Sequence, residues 1–321
     1  MTQIPQSEPA AIPLSESDSP TAPLPLAPIP SLAARFADRP RRSALFMPAS
    51  NPRALAKARS LPADVIVLDL EDAVAPELKD EARQAALATV YAGGFGHREI
   101  AIRVNGLDTP WGAEDLAAVA DSGVDAILVP KVTGPQDVLS WHEALSTAPA
   151  ELQLWTMIES CASVLRLDAI GALAASTRLS LWMIGTNDLA REMRARPGPD
   201  RAVFQPLLTF AVAAARAHGL AILDAVCNDF RDLDRFRAEC EQALMLGFDG
   251  KSLIHPDQVG PCNEVFTPSV EELEAAQRIL DAFASPEAAG KGAIRVDGRM
   301  VELLHLEEAR RLIALARKIS E

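Results

Sequence analysis

The chain reads as a (β/α)8 barrel followed by a C-terminal helical extension, and three observations predict it. From residue 43 onward, short strand-like runs alternate with helical segments. Eight such units fit into about 220 residues, the count and size of that barrel. Most of the strand-like runs are almost continuously apolar, as strands covered on both faces of a parallel sheet must be. The rival arrangement, an open doubly wound sheet, would carry a Gly-rich phosphate loop after its first strand, and no GxGxxG is present.

The first strand candidate, SALFMPA (43–49), runs into ASNPRALAKAR, where Asn51 suits a helix N-cap and Pro52 the first helical position. VIVLDLE (65–71) is followed by DEARQAALATVY, and EIAIRVN (99–105) by AEDLAAVADSG, both with apolar residues at three- and four-residue spacing. AILVPKV (126–132), QLWTMIE (153–159) and LSLWMIG (179–185) come next. The helical FQPLLTFAVAAARAHG then precedes AILDAVC (221–227) and GKSLIHP (250–256). After residue 267, an amphipathic helix closed by Gly290 leads to a short extended piece, a turn at Asp297-Gly298 and a final helix. That is more chain than a barrel needs to close, so it is expected to pack on a neighbouring subunit or cover the site. The first thirty residues hold eight prolines and no Lys or Arg. They lack the basic start and apolar centre of a signal peptide, and read as a disordered or polyproline-like tail or a docking arm. The expected division is tail 1–38, barrel 39–267 and extension 268–321.

Composition narrows the function. A formal charge of −13 argues against general nucleic-acid binding and against an anionic membrane surface. No apolar run reaches the 18 or so residues of a membrane span. The four cysteines, Cys161, Cys227, Cys240 and Cys262, are scattered without a CxxC pair, so a reduced, cytoplasmic chain is expected.

In a parallel barrel every strand's C-terminal end opens on one face, where active sites are built. The second strand delivers Asp69, Glu71 and Asp72 there, the third Arg103 and Asn105, the fourth Lys131, and the fifth Glu159. The sixth opens into Gly185, Thr186, Asn187 and Asp188, and the eighth ends at Lys251, His255 and Pro256. Glu159 and Asp188, from adjacent strands and without a Cys or His pair nearby, suit a hard cation, Mg²⁺ or Mn²⁺. The plainer alternative pairs them with Arg103 and Lys131. Arg103 suits a substrate carbonyl, carboxylate or enolate oxygen; its plainer role is a pair with Glu71 or Asp72. The turn at 185–188 offers backbone N–H groups to a substrate carboxylate. Asn51, Arg53 and Lys57 offer a grip for the phosphates of a carrier, although such cations at helical spacing are usually a solvated face. Arg41 and Arg42 precede the first strand and belong at the opposite end. His255 suits packing better than chemistry, and Trp111 and Met183 fit pocket or core equally. With no GxSxG and no cysteine with an evident His partner at a strand end, nucleophilic Ser or Cys catalysis is disfavoured.

Assembled in this order, RRSALFMPASNPRALAKA, VIVLDLEDAVAPELKDEAR, IAIRVNG, ILVPKV, MIES, GTNDLA and GFDGKSLIHPDQV resemble the HpcH/HpaI aldolase and citrate lyase β-subunit superfamily. Within it the likeness is to citrate lyase β-like proteins and malyl-CoA lyases. The resemblance implies an oligomeric barrel, trimer or hexamer, holding Mg²⁺ through Glu159 and Asp188. It implies that Arg103 binds the oxo-acid and stabilises an enolate, and that Asp72 orients metal-bound water beside Asp69, Glu71 and Lys131. Asn51, Arg53 and Lys57 fall where coenzyme A phosphates lie. It also implies a tail that caps a neighbour's site and supplies a carboxylate from a pattern like DGxMVDxPH. Here that stretch reads DGRMVELLH, with Glu302 for the usual Asp and Leu304 for the usual Pro. The implied reaction is reversible carbon–carbon cleavage of a 3-hydroxyacyl-CoA to an acyl-CoA and a 2-oxo acid (glyoxylate, pyruvate or oxaloacetate), with Glu302 as acid. Competing readings are an aldolase for free 2-oxo-4-hydroxy acids and a citrate lyase β-type subunit serving an acyl-carrier protein. Whether cleavage, condensation or thioester hydrolysis is physiological stays open.

Overall fold

Eight parallel strands close in sequential order: β1 (Ser43–Pro48), β2 (Val65–Asp69), β3 (Glu99–Arg103), β4 (Ala126–Val129), β5 (Gln153–Ile158), β6 (Leu179–Ile184), β7 (Ala221–Asp224) and β8 (Gly250–Leu253), with β8 pairing back onto β1. The computed structural model describes residues 39–321; the expected Pro-rich tail, 1–38, lies outside the described residues. Around the barrel lie α1 (Pro52–Ala58), α2 (Lys79–Ala92), α3 (Gly112–Val119), α4 (Pro135–Ala144), α5 (Cys161–Val164) and α6 (Leu167–Gly171). They are followed by α7 (Thr186–Met193), α8 (Gln205–Ala217), α9 (Leu233–Leu246) and α10 (Val259–Phe266).

The predicted (β/α)8 barrel is therefore present, but each strand stops one to three residues short of its apolar run. The last residues of each run leave the ladder and turn into the loops of the rim. In the second unit, for example, Glu71 N donates to Asp69 Oδ1 at 2.9 Å and Val74 N to Glu71 O at 3.0 Å.

Strand alternation divides the side chains into two cores. Small residues such as Ala44, Ala101 and Ala126 share the barrel interior with Trp155, Met157 and Met183. Their neighbours along the strands, such as Leu45, Ile66, Ile102 and Ile127, face the helices in a second, larger cluster. Met183 is thus core. The N-terminal mouth is plugged by a buried pair: Arg41 Nε and Nη2 donate to Glu99 at 2.6 and 2.8 Å, and Gln153 bridges Glu99 and the Trp155 indole. Arg42 clasps Asp64 at the same end. Both arginines lie opposite the rim, as their position before β1 requires.

One rim assignment is corrected. Lys251 stands second in β8, in register with Ser43 and Asp224, and faces the helix layer rather than the mouth. Its ammonium is fully buried, 2.6 Å from Asp224 Oδ2 and 3.3 Å from Glu239 Oε2, and Arg201 holds the other side of Asp224. Reading it as a rim residue failed because its register with Ser43 and Asp224 turns it out of the barrel, two residues before β8 ends.

The extension comprises α11 (Val270–Ala284), a hairpin of β9 (Ala293–Val296) and β10 (Arg299–Glu302), and α12 (Leu303–Ser320) packed against α11. Ser269 caps α11 reciprocally with Glu272. Asp297 and Gly298 carry φ of 50° and 79°, the left-handed pair that a tight two-residue hairpin turn demands. Met300, Leu303 and Leu304 stay exposed on this unit.

Candidate active site

The strand ends open into a cavity of about 430 Å³ whose wall includes Phe46, Asp69, Asp72, Arg103, Glu159 and Asp188. Because β2 and β3 run in register, Asp69 stands opposite Arg103 and both side chains point inward. Arg103 Nε and Nη2 donate to Asp69 Oδ1 and Oδ2 at 2.7 and 2.6 Å, and Nη1 lies 3.1 Å from Glu71 Oε2. The Phe46 ring lies against the guanidinium, with its centroid 5.1 Å from Cζ. Burial works against this charge, yet Asp69, Glu71 and Glu159 raise its pKa, so it stays a cation. Asp69 is therefore the main partner of Arg103, beside the expected pair with Glu71. It holds the loop as well, by accepting the Glu71 amide.

Glu159 begins the loop after β5 and is 2 % exposed. Its Oε1 accepts the Lys131 backbone N–H at 2.8 Å. Burial, helped by Asp188, pushes its carboxyl up to about 7 against the downward pull of Lys131 and Arg103. The close approach of Gly185 makes room for it: a Cβ there would sit 2.5 Å from Glu159 Cβ. Asp188 lies in the first turn of α7, with Oδ1 2.7 Å from Arg191 Nη2. Asn187 and Asn228 exchange amide hydrogen bonds across the mouth, at 2.7 and 3.2 Å.

Lys131 joins the acids. Its Nζ lies 3.2 Å from Asp72, 3.4 Å from Glu71, 3.4 Å from Asp188 and 3.8 Å from Glu159. Burial opposes its charge, but those four carboxylates, Glu159 foremost, raise its pKa. Burial also raises the Glu71 carboxyl, against Arg103 and Lys131. At the more open Asp72, burial pushes up, but Lys131, Arg103 and Glu71 together pull further down, and the pKa falls.

A model of the HpcH/HpaI aldolase/citrate lyase family matches residues 42–256. The chain belongs to this family. It is 47% identical over 281 residues to a (3S)-malyl-CoA thioesterase of Cereibacter sphaeroides, covering 88% of this chain and 96% of that one. It is 35% identical over 309 residues to an L-malyl-CoA/beta-methylmalyl-CoA lyase of the same species, covering 88% and 96%. Among solved structures it resembles the protein CitE of Mycobacterium tuberculosis in complex with magnesium, acetoacetate and coenzyme A. That match has a TM-score of 0.69 and 28% identity, covering 86% of this chain and 97% of that one.

Other residues expected in the family site lie apart from the cavity. Asn51 caps α1, accepting from the amides of Arg53 and Ala54, while Arg53 and Lys57 point to solvent and make no ion pair among the described residues. Asn105 is buried below the rim, bonded to Asp115. Glu302 is exposed on the tail hairpin, and no residue beyond Ile254 lines the cavity of its own chain. His255 stacks on Phe230 with centroids 4.5 Å apart, a packing role.

Sequence reasoning missed Lys79. Its buried ammonium donates to Leu70 O and Glu71 O, both at 2.7 Å, and to Asn105 Oδ1 at 2.8 Å, fixing the loop that carries the acids. In PELKDEAR it reads as one more solvated helix charge, and nothing in its spacing says otherwise. Trp111, neither pocket nor core, lies against this ammonium at 5.3 Å. Phe46, Met157 and Ser252 line the cavity as inward positions of β1, β5 and β8, with Ile254 just beyond β8, a signal that alternation alone contains.

Proposed function

We propose that the chain is a Mg²⁺-dependent carbon–carbon lyase acting on a malyl-type 3-hydroxyacyl-CoA thioester. The observation that carries this reading is the meeting of Glu159, Asp188 and Arg103 on one cavity wall. Glu159 and Asp188 fit the metal by their chemistry: both offer hard oxygen donors, and both already attract a cation, the Lys131 ammonium. Among the described residues no group of three or more acids, histidines or cysteines is placed to hold a metal. Two protein donors leave the remaining positions to water and substrate oxygens, the arrangement Mg²⁺ commonly adopts, and Mn²⁺ suits the same donors. When bound, the ion supplies the positive charge that acidifies the substrate hydroxyl and holds the adjacent carboxylate.

The chain's own residues do the rest. Asp69 and Glu71 occupy part of the Arg103 fork, leaving one N–H on each of Nη1 and Nη2 for a thioester oxygen that gains charge as the bond breaks. The apolar faces of Phe46, Met157 and Ile184 exclude water around that oxygen. Asp72, at the open side, stays ionised and accepts hydrogen bonds from ordered water, to which the substrate hydroxyl loses its proton as the carbon–carbon bond breaks. Amides at the start of α7, from Gly185 to Asn187, meet the oxo-acid carboxylate. Arg53 and Lys57 attract the phosphates of coenzyme A, with Asn51 shaping the turn that presents them. Protonation of the enolate carbon falls to Glu302 of a neighbouring copy in a homo-oligomer, and the exposed Met300, Leu303 and Leu304 support such an assembly. The division into a 39–267 barrel and a 268–321 extension is part of this proposal.

Thioester hydrolysis is the second reading, favoured by the 47% identity to a (3S)-malyl-CoA thioesterase. Polarisation of the same carbonyl by Arg103 then serves attack by water. Product analysis separates the two. With (3S)-malyl-CoA and Mg²⁺, cleavage yields glyoxylate and acetyl-CoA in equal amounts, whereas hydrolysis yields malate and a free thiol. Glu159→Ala and Asp188→Ala should each lose most of whichever activity is found. Full Mg²⁺-dependent turnover in both variants would refute the metal assignment.

A further inference from the structure

Lys131 does two separable things at the rim of the barrel. Its backbone has φ of 54°, a left-handed conformation that residues other than glycine seldom adopt. In that conformation its N–H holds Glu159 Oε1 at 2.8 Å, whatever the side chain does. The side chain is 42% exposed, and its ammonium lies within 4 Å of Glu71, Asp72, Glu159 and Asp188 together. The other rim cations reach fewer of these acids: Arg103 pairs with Asp69 and Glu71, and Arg191 with Asp188.

We propose that the Lys131 ammonium is an internal counter-ion that the divalent cation displaces, so that metal entry and release of this side chain are one exchange. The proposal rests on the metal reading above. A dication needs the Glu159 and Asp188 oxygens turned toward it, and like charges gathered on the same carboxylates repel strongly in a half-buried site. The flexible, partly exposed lysine stem can leave. Glu159 keeps its place because its bond to the Lys131 main chain survives the exchange. The released ammonium stays at the mouth of the cavity, where it meets an incoming anion, so metal and anionic substrate favour each other's binding. The lysine thereby stabilises the metal-free protein and lowers its affinity for metal.

The test uses the full chain and Lys131→Met, both stripped with EDTA and titrated with MgCl₂ by calorimetry and thermal melting. The variant should bind Mg²⁺ about tenfold more tightly, equivalent to about 1.4 kcal/mol. Its metal-free form should melt about 2 °C lower, with a larger rise on adding Mg²⁺. Lys131→Gln provides a second uncharged variant if the first fails to fold. Lys131→Arg keeps the charge and should bind Mg²⁺ as weakly as the parent. Arg191→Gln should change less than Lys131→Met, because Arg191 touches Asp188 alone and is 78% exposed. Equal or weaker Mg²⁺ affinity in the uncharged variants overturns the exchange. Absence of Mg²⁺ binding in the parent as well would instead remove the metal reading beneath it.

Discussion

Gly185→Ala is a small change with a large expected effect on the site. The backbone at Gly185 has φ of −116°, which any residue adopts, so conformational strain is not involved. The obstacle is steric. The added methyl would sit 2.5 Å from Glu159 Cβ, 2.8 Å from Glu159 Oε2 and 3.3 Å from Met157 Cε. The nearest of these atoms is fixed close to the backbone of β5, so the ends of β5 and β6 must part or the carboxylate must turn away. Overpacking of this kind costs about 1–3 kcal/mol. At about 2 kcal/mol the melting temperature falls by about 3 °C for a chain of this size. The carboxylate moves too, so Mg²⁺ affinity and kcat/KM should fall together, by at least about tenfold. Gly260→Ala is the matched control: nothing lies within 4 Å of its added methyl, and it sits inside α10. It should be neutral or stabilising by about 0.4–1 kcal/mol. Thermal melts, Mg²⁺ titration and steady-state rates measure all three quantities. A Gly185→Ala protein that matches its parent in Mg²⁺ affinity would refute the claim that this glycine sets the position of Glu159.

Three further outcomes follow from other parts of the molecule. Glu159 holds its proton to about pH 7 in the folded chain against an ordinary value of 4.5. A raised carboxyl pKa contributes stability fully present below the unfolded value and lost as pH rises through the folded one. Metal-free protein should therefore lose up to about 3 kcal/mol between pH 5 and pH 8 from this group. Glu159→Gln should flatten that slope in urea melts, and an unchanged slope would count against it. Lys251→Met strips one partner from Asp224 in the buried cluster outside the barrel wall. It should cost about 3 kcal/mol in urea unfolding, with kcat/KM of the folded protein unchanged; a selective loss of activity would return Lys251 to the site. Glu302→Gln should lower kcat by about a hundredfold while leaving Mg²⁺ binding intact, and an unaltered rate would make the tail purely structural.

The residues that proved legible in the sequence share a physical reason. β1 to β8 are written as apolar runs because a strand buried on both faces has no other option. The polar residues that interrupt those runs near their ends, Asp69, Arg103 and Glu159, mark the rim because burying them elsewhere would be costly. Lys251 shows where that logic misleads. It interrupts an apolar run equally well, but its charge is balanced by Asp224 and Glu239 on the helix side, and only strand register distinguishes the two situations. Pairing inside the rim was less visible still. The acids at 69, 71 and 72 differ little in the sequence, yet Asp69 faces inward to Arg103, Glu71 bridges Arg103 and Lys131, and Asp72 opens to solvent. What separates them is the turn after β2, held by the buried Lys79 from a helix eight residues further along. A cluster of three acids is thus divided into three roles by one lysine outside the cavity. The cation proposed for Glu159 and Asp188 would take the place that the Lys131 ammonium holds among Glu71, Asp72, Glu159 and Asp188.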